Sequence, residues 1–263
     1  MTEAVWMVAA GAAGDKLDVA GFIMHHVLDQ EFLGAPSKHM VFFVGVAILL
    51  LGLIWQARRS YADGKPRGLG AFVEMIVVFI RDDVAEQNIG PEGRKFTPLL
   101  CSFFFFILTA ALVGLVPFSA TSTGNLAVTM GLATISFAAQ QYAGISKFGF
   151  VGHFGGLVPP GLPGWLLPIM IPVEILGMFT KPFALMIRLF ANMLAGHMVI
   201  TTLLLLIPLM AGISTVFGAA MIPVSLGLAL FIDLLEILVA VIQAYIFTLL
   251  TAIFIGMYAH PAH

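Results

Sequence analysis

Two apolar stretches of about forty residues each constrain the fold of this chain more than any other feature. They run from Ile169 to Leu209 and from Val216 to Tyr258. An α-helix rises about 1.5 Å per residue and needs about 20 apolar residues to cross a bilayer core. With 60% hydrophobic and 10% charged residues, the chain is typical of an integral membrane protein. Each stretch exceeds one perpendicular span, which predicts tilted, partly broken helices that form an antiparallel hairpin.

Shorter segments predict the rest of the membrane domain. Glu74 and Arg81 interrupt one apolar segment, which favours an amphipathic helix lying in the membrane interface. Glycine and proline fill eight positions between Gly149 and Pro163, which is typical of a connector. We therefore predict an all-α membrane protein with about five transmembrane helices, one interfacial helix and a single domain over residues 1–263. Its segments are an external region 1–38, a span 39–57, the interfacial helix 68–88, a hairpin 96–116 and 126–145, the connector 146–168, and the long hairpin 169–209 and 216–258.

Basic residues orient the chain, because Lys and Arg collect near the cytoplasmic ends of spans. With the N-terminus outside, eight of the twelve basic residues lie inside, two lie outside, and Lys181 and Arg188 lie within the bundle or at its edge. The inside residues are Arg58, Arg59, Lys65, Arg67, Arg81, Arg94, Lys95 and Lys147, and the outside ones are Lys16 and Lys38. The C-terminus is then cytoplasmic. The first residues carry no Lys or Arg, which predicts no cleaved signal peptide.

Composition argues against several classes of function. The single cysteine, Cys101, permits no internal disulfide and no cysteine cluster for a metal, so we expect neither a metal nor a cofactor. A net charge of -2 gives no indication of nucleic-acid binding. The sequence shows no phosphate-binding loop or hydrolytic motif, so we predict no catalytic site in this chain.

Arg188 lies deep within the first long stretch, about twenty residues from either end. Its guanidinium keeps its proton, so its cost in a membrane is about 2.5 to 3.5 kcal/mol on insertion scales and about 10 to 17 kcal/mol in simulations. An arginine near a helix end snorkels to the headgroups, but long apolar flanks argue against that alternative here. Arg188 is therefore the leading candidate for a functional residue.

Other polar residues extend both ways from this arginine. Glu174, Lys181 and Arg188 are seven residues apart, so at about 100° per residue they share one helix face. His197 lies nine residues beyond Arg188, about 14 Å further toward the outside. Lys181 precedes a proline near the cytoplasmic boundary, which favours a membrane anchor over a proton relay.

The second long stretch carries a matching face, formed by Asp233, Glu236, Ala240 and Gln243. In an antiparallel hairpin, facing residues have position numbers that add to a nearly constant value. Arg188 with Gln243, His197 with Glu236, and Pro208 with Pro223 add to 431, 433 and 431. One register therefore joins all three pairs, and it predicts a turn near 214–216 and an ionisable His197/Glu236 pair on the outer side.

Histidine and carboxylate groups can change protonation near neutral pH when their surroundings shift them, whereas arginine cannot. Proton relays on both sides of a fixed charge indicate a proton path with a gate. Structural alternatives stay open: His197 as a hydrogen-bonding residue between helices, Asn192 as a residue that only joins helices, and Glu174 and Asp233 as polar groups without a relay role.

Two motifs in these stretches resemble a known family. KPFALMIRLFANMLAGH (residues 181–197) and EILVAVIQAYIF (residues 236–247) closely resemble the a subunit of F-type ATP synthases. The resemblance covers most of the chain after about residue 25 and implies the static, proton-conducting partner of a rotating c-ring. It also implies peripheral-stalk b-type subunits, the remaining ATP synthase complex and membrane lipid as partners, with ATP chemistry on other subunits.

The resemblance assigns roles to individual residues. Arg188 is expected to face the c-ring carboxylates with Gln243 as its neighbour, His197 and Glu236 to line the outer channel, and Glu174 to line the cytoplasmic one. Asn192 and Asp233 complete the set of candidate proton-path residues. Many bacterial relatives place an acid at position 197 and a histidine at 236. In this chain the histidine is at position 197 and the acid at position 236. This exchange predicts an alphaproteobacterial or mitochondrial-like origin, and we expect the chain in the inner membrane of a bacterium rather than of a mitochondrion.

Two other classes of function remain as alternatives. A secondary transporter or self-contained channel would move ions without a ring, but we find no internal repeat of the kind such transporters carry. A haem-binding electron carrier would need histidines on facing helices, and only His197 lies deep in a predicted span.

Overall fold

The computed structural model describes residues 38–60, 68–115, 126–155 and 166–259. These residues are almost entirely helical, and none of them lies in a β-strand. The α-helices are α1 (Lys38–Ser60), α2 (Leu69–Phe79), α3 (Gln87–Ile89), α4 (Thr97–Gly114), α5 (Leu126–Gly155), α6 (Leu167–Ile213) and α7 (Thr215–Ala259). The prediction of an all-α protein whose last two helices form a long hairpin is confirmed.

The predicted interfacial segment is a helical run whose type changes along its length. After α2 the backbone widens into a π-helix, Ile80–Glu86, and then continues as α3. Gly90, with φ 85°, ends α3 in a conformation that favours glycine. On the exposed side Arg81 donates to Asp82 at 2.6 and 3.0 Å, and these hydrogen bonds hold the pKa of the Asp82 carboxyl below its ordinary value.

Helix α7 lies at the centre of the bundle, because it packs against α4, α5 and α6. Its Phe247 is fully buried and meets Phe103 of α4 edge to face, with ring centroids 5.3 Å apart. Leu185 and Leu189 of α6 pack into the same core. The hydrophobic stripe of α6 therefore faces α7, which fixes the rotation of α6 about its own axis.

Helix α5 extends a few residues past the predicted boundary at residue 145. It is kinked at Gly149, where φ is 70° and the backbone is not helical, and a short further helical stretch ends at Gly155. The prediction relied on the density of glycine and proline, but the prolines of that region begin only at Pro159. A helix accommodates glycine at modest cost, so the helix continues through Gly144 and is interrupted only at Gly149.

Helices α6 and α7 form the predicted antiparallel hairpin, joined by the single residue Ser214. Met193 packs with Ala240, and a side chain at Gly196 would overlap the carboxylate of Glu236. These pairs add to 433 and 432, as the predicted register requires. A further close pair near the turn, Ala211 with Gly218, adds to 429. The prediction of partly broken helices is wrong, since α6 runs continuously through Pro172, Pro182 and Pro208, and α7 through Pro223.

Three of the described helices are long and apolar enough to cross a membrane: α4, α6 and α7. Helix α1 contributes a shorter apolar stretch, Phe43–Gln56. The predicted count of about five spans is therefore not confirmed and stays a prediction.

Several sequence predictions lie outside the described residues. They concern the external region 1–37, the polar turn 116–125, the part of the connector at 156–165, the basic residues Lys16, Lys65 and Arg67, and the C-terminal residues 260–263.

Gly256→Ala is expected to destabilise the fold, although alanine normally favours a helix by about 0.5 to 1 kcal/mol over glycine. A Cβ at position 256 would overlap the backbone carbonyl of Asn88, and backbone moves less easily than a side chain. Gly227→Ala, in the same helix with open space around it, is the matched control. Thermal unfolding of the purified chain in detergent should give a lower midpoint for Gly256→Ala; a midpoint at or above that of the control contradicts the contact.

Candidate functional site

Arg188 lies on the face of α6 that points away from the rest of the bundle. Its neighbour Leu189 and Leu185 one turn earlier are each 1% exposed, whereas Arg188 is exposed. Among the residues that the structure describes, the guanidinium forms no ion pair and no hydrogen bond. It lies 21 residues from Leu167 and 25 from Ile213, so about 30 Å or more of helix separates it from either end.

The surface around Arg188 is apolar, and the side chains next to the arginine are small. Ala184, Ala191 and Ala195 are exposed on the same side of α6 as Arg188, and Phe183 and Ile187, at 59% and 42% exposure, lie further round the helix. Alanines let a neighbouring helix approach closely in a membrane. A cation in such an apolar surface within a membrane needs a counter-charge, which the described residues do not supply.

Glu236, unlike Arg188, is buried, and it lies between α6 and α7 in the seam of the hairpin. It is 7% exposed, and its carboxylate contacts the backbone at Gly196. Neither carboxylate oxygen has a hydrogen-bond partner among the described residues. His197, the predicted partner, follows Gly196 directly and is half-buried. The register therefore brings the two residues to one level of the seam, without a hydrogen bond to the carboxylate.

Gln243 lies two turns further along α7 and is 7% exposed. Ala240 packs there with Met193 and with Ala111 of α4, so three helices meet at this depth. Asn192 precedes Met193 and is half-buried. The side-chain nitrogen of Gln243 has no hydrogen-bond partner within the described ranges. Since the Arg188 guanidinium donates to none of the described residues, the predicted neighbours Arg188 and Gln243 are not hydrogen-bonded to each other.

The N-terminal half of α6 carries a second polar group. The Lys181 ammonium lies over the rings of Phe254 and Tyr258, 5.6 and 5.2 Å from their centroids. Glu174 interacts electrostatically with both Lys181 and Tyr258. Asp233, half-buried on α7, interacts electrostatically with Glu236 instead. The aromatic contacts hold Lys181 beside α7, and its role as a membrane anchor stays a prediction.

Sequence reasoning missed two features of the seams around α7. The hydroxyls of Ser136 on α5 and Thr251 on α7 are 2.9 Å apart and fully buried, and Gln140 donates to Ser136 at 3.2 Å. The other feature is Ser225, fully buried on α7. The spacing of four between Ser136 and Gln140 was the available signal for the first, and the helical alignment of Ser225 with Gln243 for the second.

Comparison with known proteins identifies the family. The family model described as ATP synthase A chain matches residues 39–256. ATP synthase subunit a of Chloroherpeton thalassium is 49% identical, with 95% of this chain and 79% of the relative covered. The subunit a of Myxococcus xanthus is 45% identical over 97% of this chain and 82% of the relative, and that of Chlorobium phaeobacteroides 40% identical over 96% and 79%.

These matches extend over nearly all of the chain and include both motif regions. The alphaproteobacterial or mitochondrial-like origin stays a prediction. With its long apolar helices and this breadth of similarity, the chain belongs to the ATP synthase subunit a family and is a membrane component of the ATP synthase complex.

Proposed function

We propose that this chain forms two offset half-channels that carry protons to and from the carboxylates of a c-ring, and thereby couples proton flow to rotation. The observation that carries the proposal is the exposed, unpaired Arg188 in the middle of an apolar helix. Such a charge is tolerated in a membrane only if something outside the described chain complements it. A carboxylate on a passing ring subunit supplies that complement.

Arg188 acts on the ring through its charge. A nearby cation favours the ionised form of a carboxyl, so Arg188 promotes proton release from each ring subunit that reaches it. Because the guanidinium keeps its own proton, it does not pass protons between the two half-channels. The membrane potential supplies about 2.3 kcal/mol per charge per 100 mV.

The outer half-channel runs past His197 and Glu236 and reaches the ring near Asn192 and Gln243. The closeness of Glu236 to Gly196 supports this assignment, because it brings two ionisable side chains to the same level of one seam. Asp233 extends the polar face on the outer side. The inner half-channel runs past Glu174, whose position near Lys181 and Tyr258 supports a polar exit on the cytoplasmic side.

The exposed alanines beside Arg188 form the surface that contacts the ring. We further propose that peripheral-stalk b-type subunits hold the chain static. The N-terminus is then periplasmic and the C-terminus cytoplasmic, in a bacterial inner membrane, and no metal, cofactor or nucleic acid takes part.

Reconstitution with and without the ring tests the proposal. Vesicles that contain the membrane sector, stripped of the ATP-hydrolysing subunits, should conduct protons under an imposed potential. Vesicles with an equal amount of this chain alone should stay as tight as protein-free vesicles, because neither half-channel crosses the membrane. Rapid, saturable flux through the chain alone would contradict the proposal and favour a self-contained channel or transporter. A pH-sensitive dye inside the vesicles reports the flux.

A further inference from the structure

Ser225 is a fully buried hydroxyl on α7 whose Oγ has no hydrogen-bond partner among the described residues. Hydroxyls inside these helices usually donate to the carbonyl four residues earlier, as Thr248 does to Ala244 at 2.8 Å and Thr202 to Met198 at 2.7 Å. Ser225 does not. A buried hydroxyl that does not donate to the carbonyl four residues earlier needs another polar partner.

Ser225 lies on the same face of α7 as the polar residues of the seam. It precedes Gln243 by 18 residues, a whole number of turns, and Glu236 by 11 residues, which is about 20° off. Along the helix, Ser225 is about 16 Å from Glu236 toward the outer end of the hairpin. Glycine and alanine occupy the rest of this face near it, at Gly218 and Ala229, both buried.

Pro208 provides a second polar group on the facing helix. It stands inside α6 and has no N–H, so the carbonyl of Leu204, four residues earlier, has no helical donor. The contacts between Ala211 and Gly218 and between Gly196 and Glu236 set the register of the hairpin. In that register Ser225 lies opposite residues 204 to 207.

We propose that Ser225 and the Leu204 carbonyl hold water in the seam and form a relay step between the outer surface and Glu236. This inference rests on the proposed function. Water needs two or more polar partners to occupy a buried site, and these two groups supply them. A hydroxyl can take up a proton on one lone pair while its own proton leaves to the next water, so one O–H bond forms as another breaks and Ser225 is unchanged.

Thiol labelling tests the hydration directly. Ser225→Cys and Leu226→Cys are made in a Cys101→Ala chain, which has no other cysteine, and each is assembled into the complete complex. Leu226 is 49% exposed at the same depth on another face of α7 and serves as the matched control. The reactive thiolate forms only where water is present. A small charged methanethiosulfonate added from the outer side should therefore modify Ser225→Cys at least about tenfold faster than Leu226→Cys. Equal rates, or no reaction at position 225, overturn the proposal.

Proton conductance of the ring-containing membrane sector tests the relay. Ser225→Ala should lower it several-fold at unchanged assembly, whereas Ser225→Thr, which keeps the hydroxyl, should stay close to wild type. Wild-type conductance in Ser225→Ala overturns the relay even if the reagent modifies Ser225→Cys rapidly. The two proposals fail separately: if the chain conducts without a ring, the proposed function falls, whereas slow labelling at position 225 in a ring-dependent sector removes only this step.

Discussion

Arg188→Ala is expected to abolish coupled proton pumping by the assembled ATP synthase. A neighbouring cation lowers the pKa of a carboxyl by about 1 to 3 units, which corresponds to a factor of about 10 to 1,000 in the ionised fraction. Arg188 has no partner among the described residues that would take over this charge. Without it, ring carboxyls keep their protons as they pass, and we expect ATP-driven pumping to fall at least about 100-fold.

Inverted vesicles supplied with ATP report this pumping as quenching of an acridine dye. Arg59→Ala is the matched control, because Arg59 is also an exposed arginine but stacks on Trp55, 3.5 Å from the ring centroid. Arg59→Ala should pump at the wild-type rate. Equal amounts of assembled complex in both variants exclude a folding defect at position 188. Pumping within a few-fold of wild type in Arg188→Ala would remove the arginine from the mechanism.

Arg188→Lys tests whether the mechanism needs only a positive charge at position 188 or a charge that cannot be lost by deprotonation. A lysine ammonium is also positive, but it can lose its proton in an apolar site, whereas a guanidinium cannot. We expect Arg188→Lys to pump far below wild type and to leak protons passively when no ATP is present. A tight, fully active Arg188→Lys variant would show that any cation suffices and that the barrier between the half-channels lies elsewhere.

The hairpin of α6 and α7 was predictable from the sequence because two constraints agree. A helix repeats every 3.6 residues, and two antiparallel helices joined by a short turn bring together positions whose numbers have a constant sum, so the pattern fixed one register. The contact between Gly196 and Glu236 and the packing of Met193 with Ala240 match that register. The end of α5 was not predictable in the same way, because glycine is compatible with both helix and loop.

The exposure of Arg188 and the burial of Glu236 were also beyond the sequence pattern. Both residues belong to polar faces, yet one points out of the described bundle and the other into the seam. Which face of a helix is covered depends on the other helices that pack against the hairpin, here α4 and α5. Hydrophobic periodicity does not identify those helices. The buried Ser136–Thr251 hydrogen bond was missed for the same reason, since its two residues lie 115 positions apart.

Gly196→Ala is expected to slow proton flux strongly while leaving the fold nearly intact. A Cβ at position 196 would overlap the carboxylate of Glu236. A carboxylate is the end of a flexible side chain, so it can rotate away, whereas α6 and α7 keep their backbone contact. If Glu236 is a relay, displacing it by about 1 Å should cost up to about 100-fold, in line with the sensitivity of positioned reactive groups.

Two glycines of the same hairpin separate this effect from a packing defect. Gly212→Ala, with open space around it, should leave both flux and stability unchanged. At Gly218 the overlap is with the backbone and Cβ of Ala211, which cannot rotate away, so Gly218→Ala should lower the unfolding temperature instead. Conductance of the ring-containing membrane sector and the unfolding temperature of the complex are measured for all three. If Gly196→Ala loses stability rather than flux, Gly196 is only a packing site, and if it loses neither, the Glu236 carboxylate does not need its position in the seam.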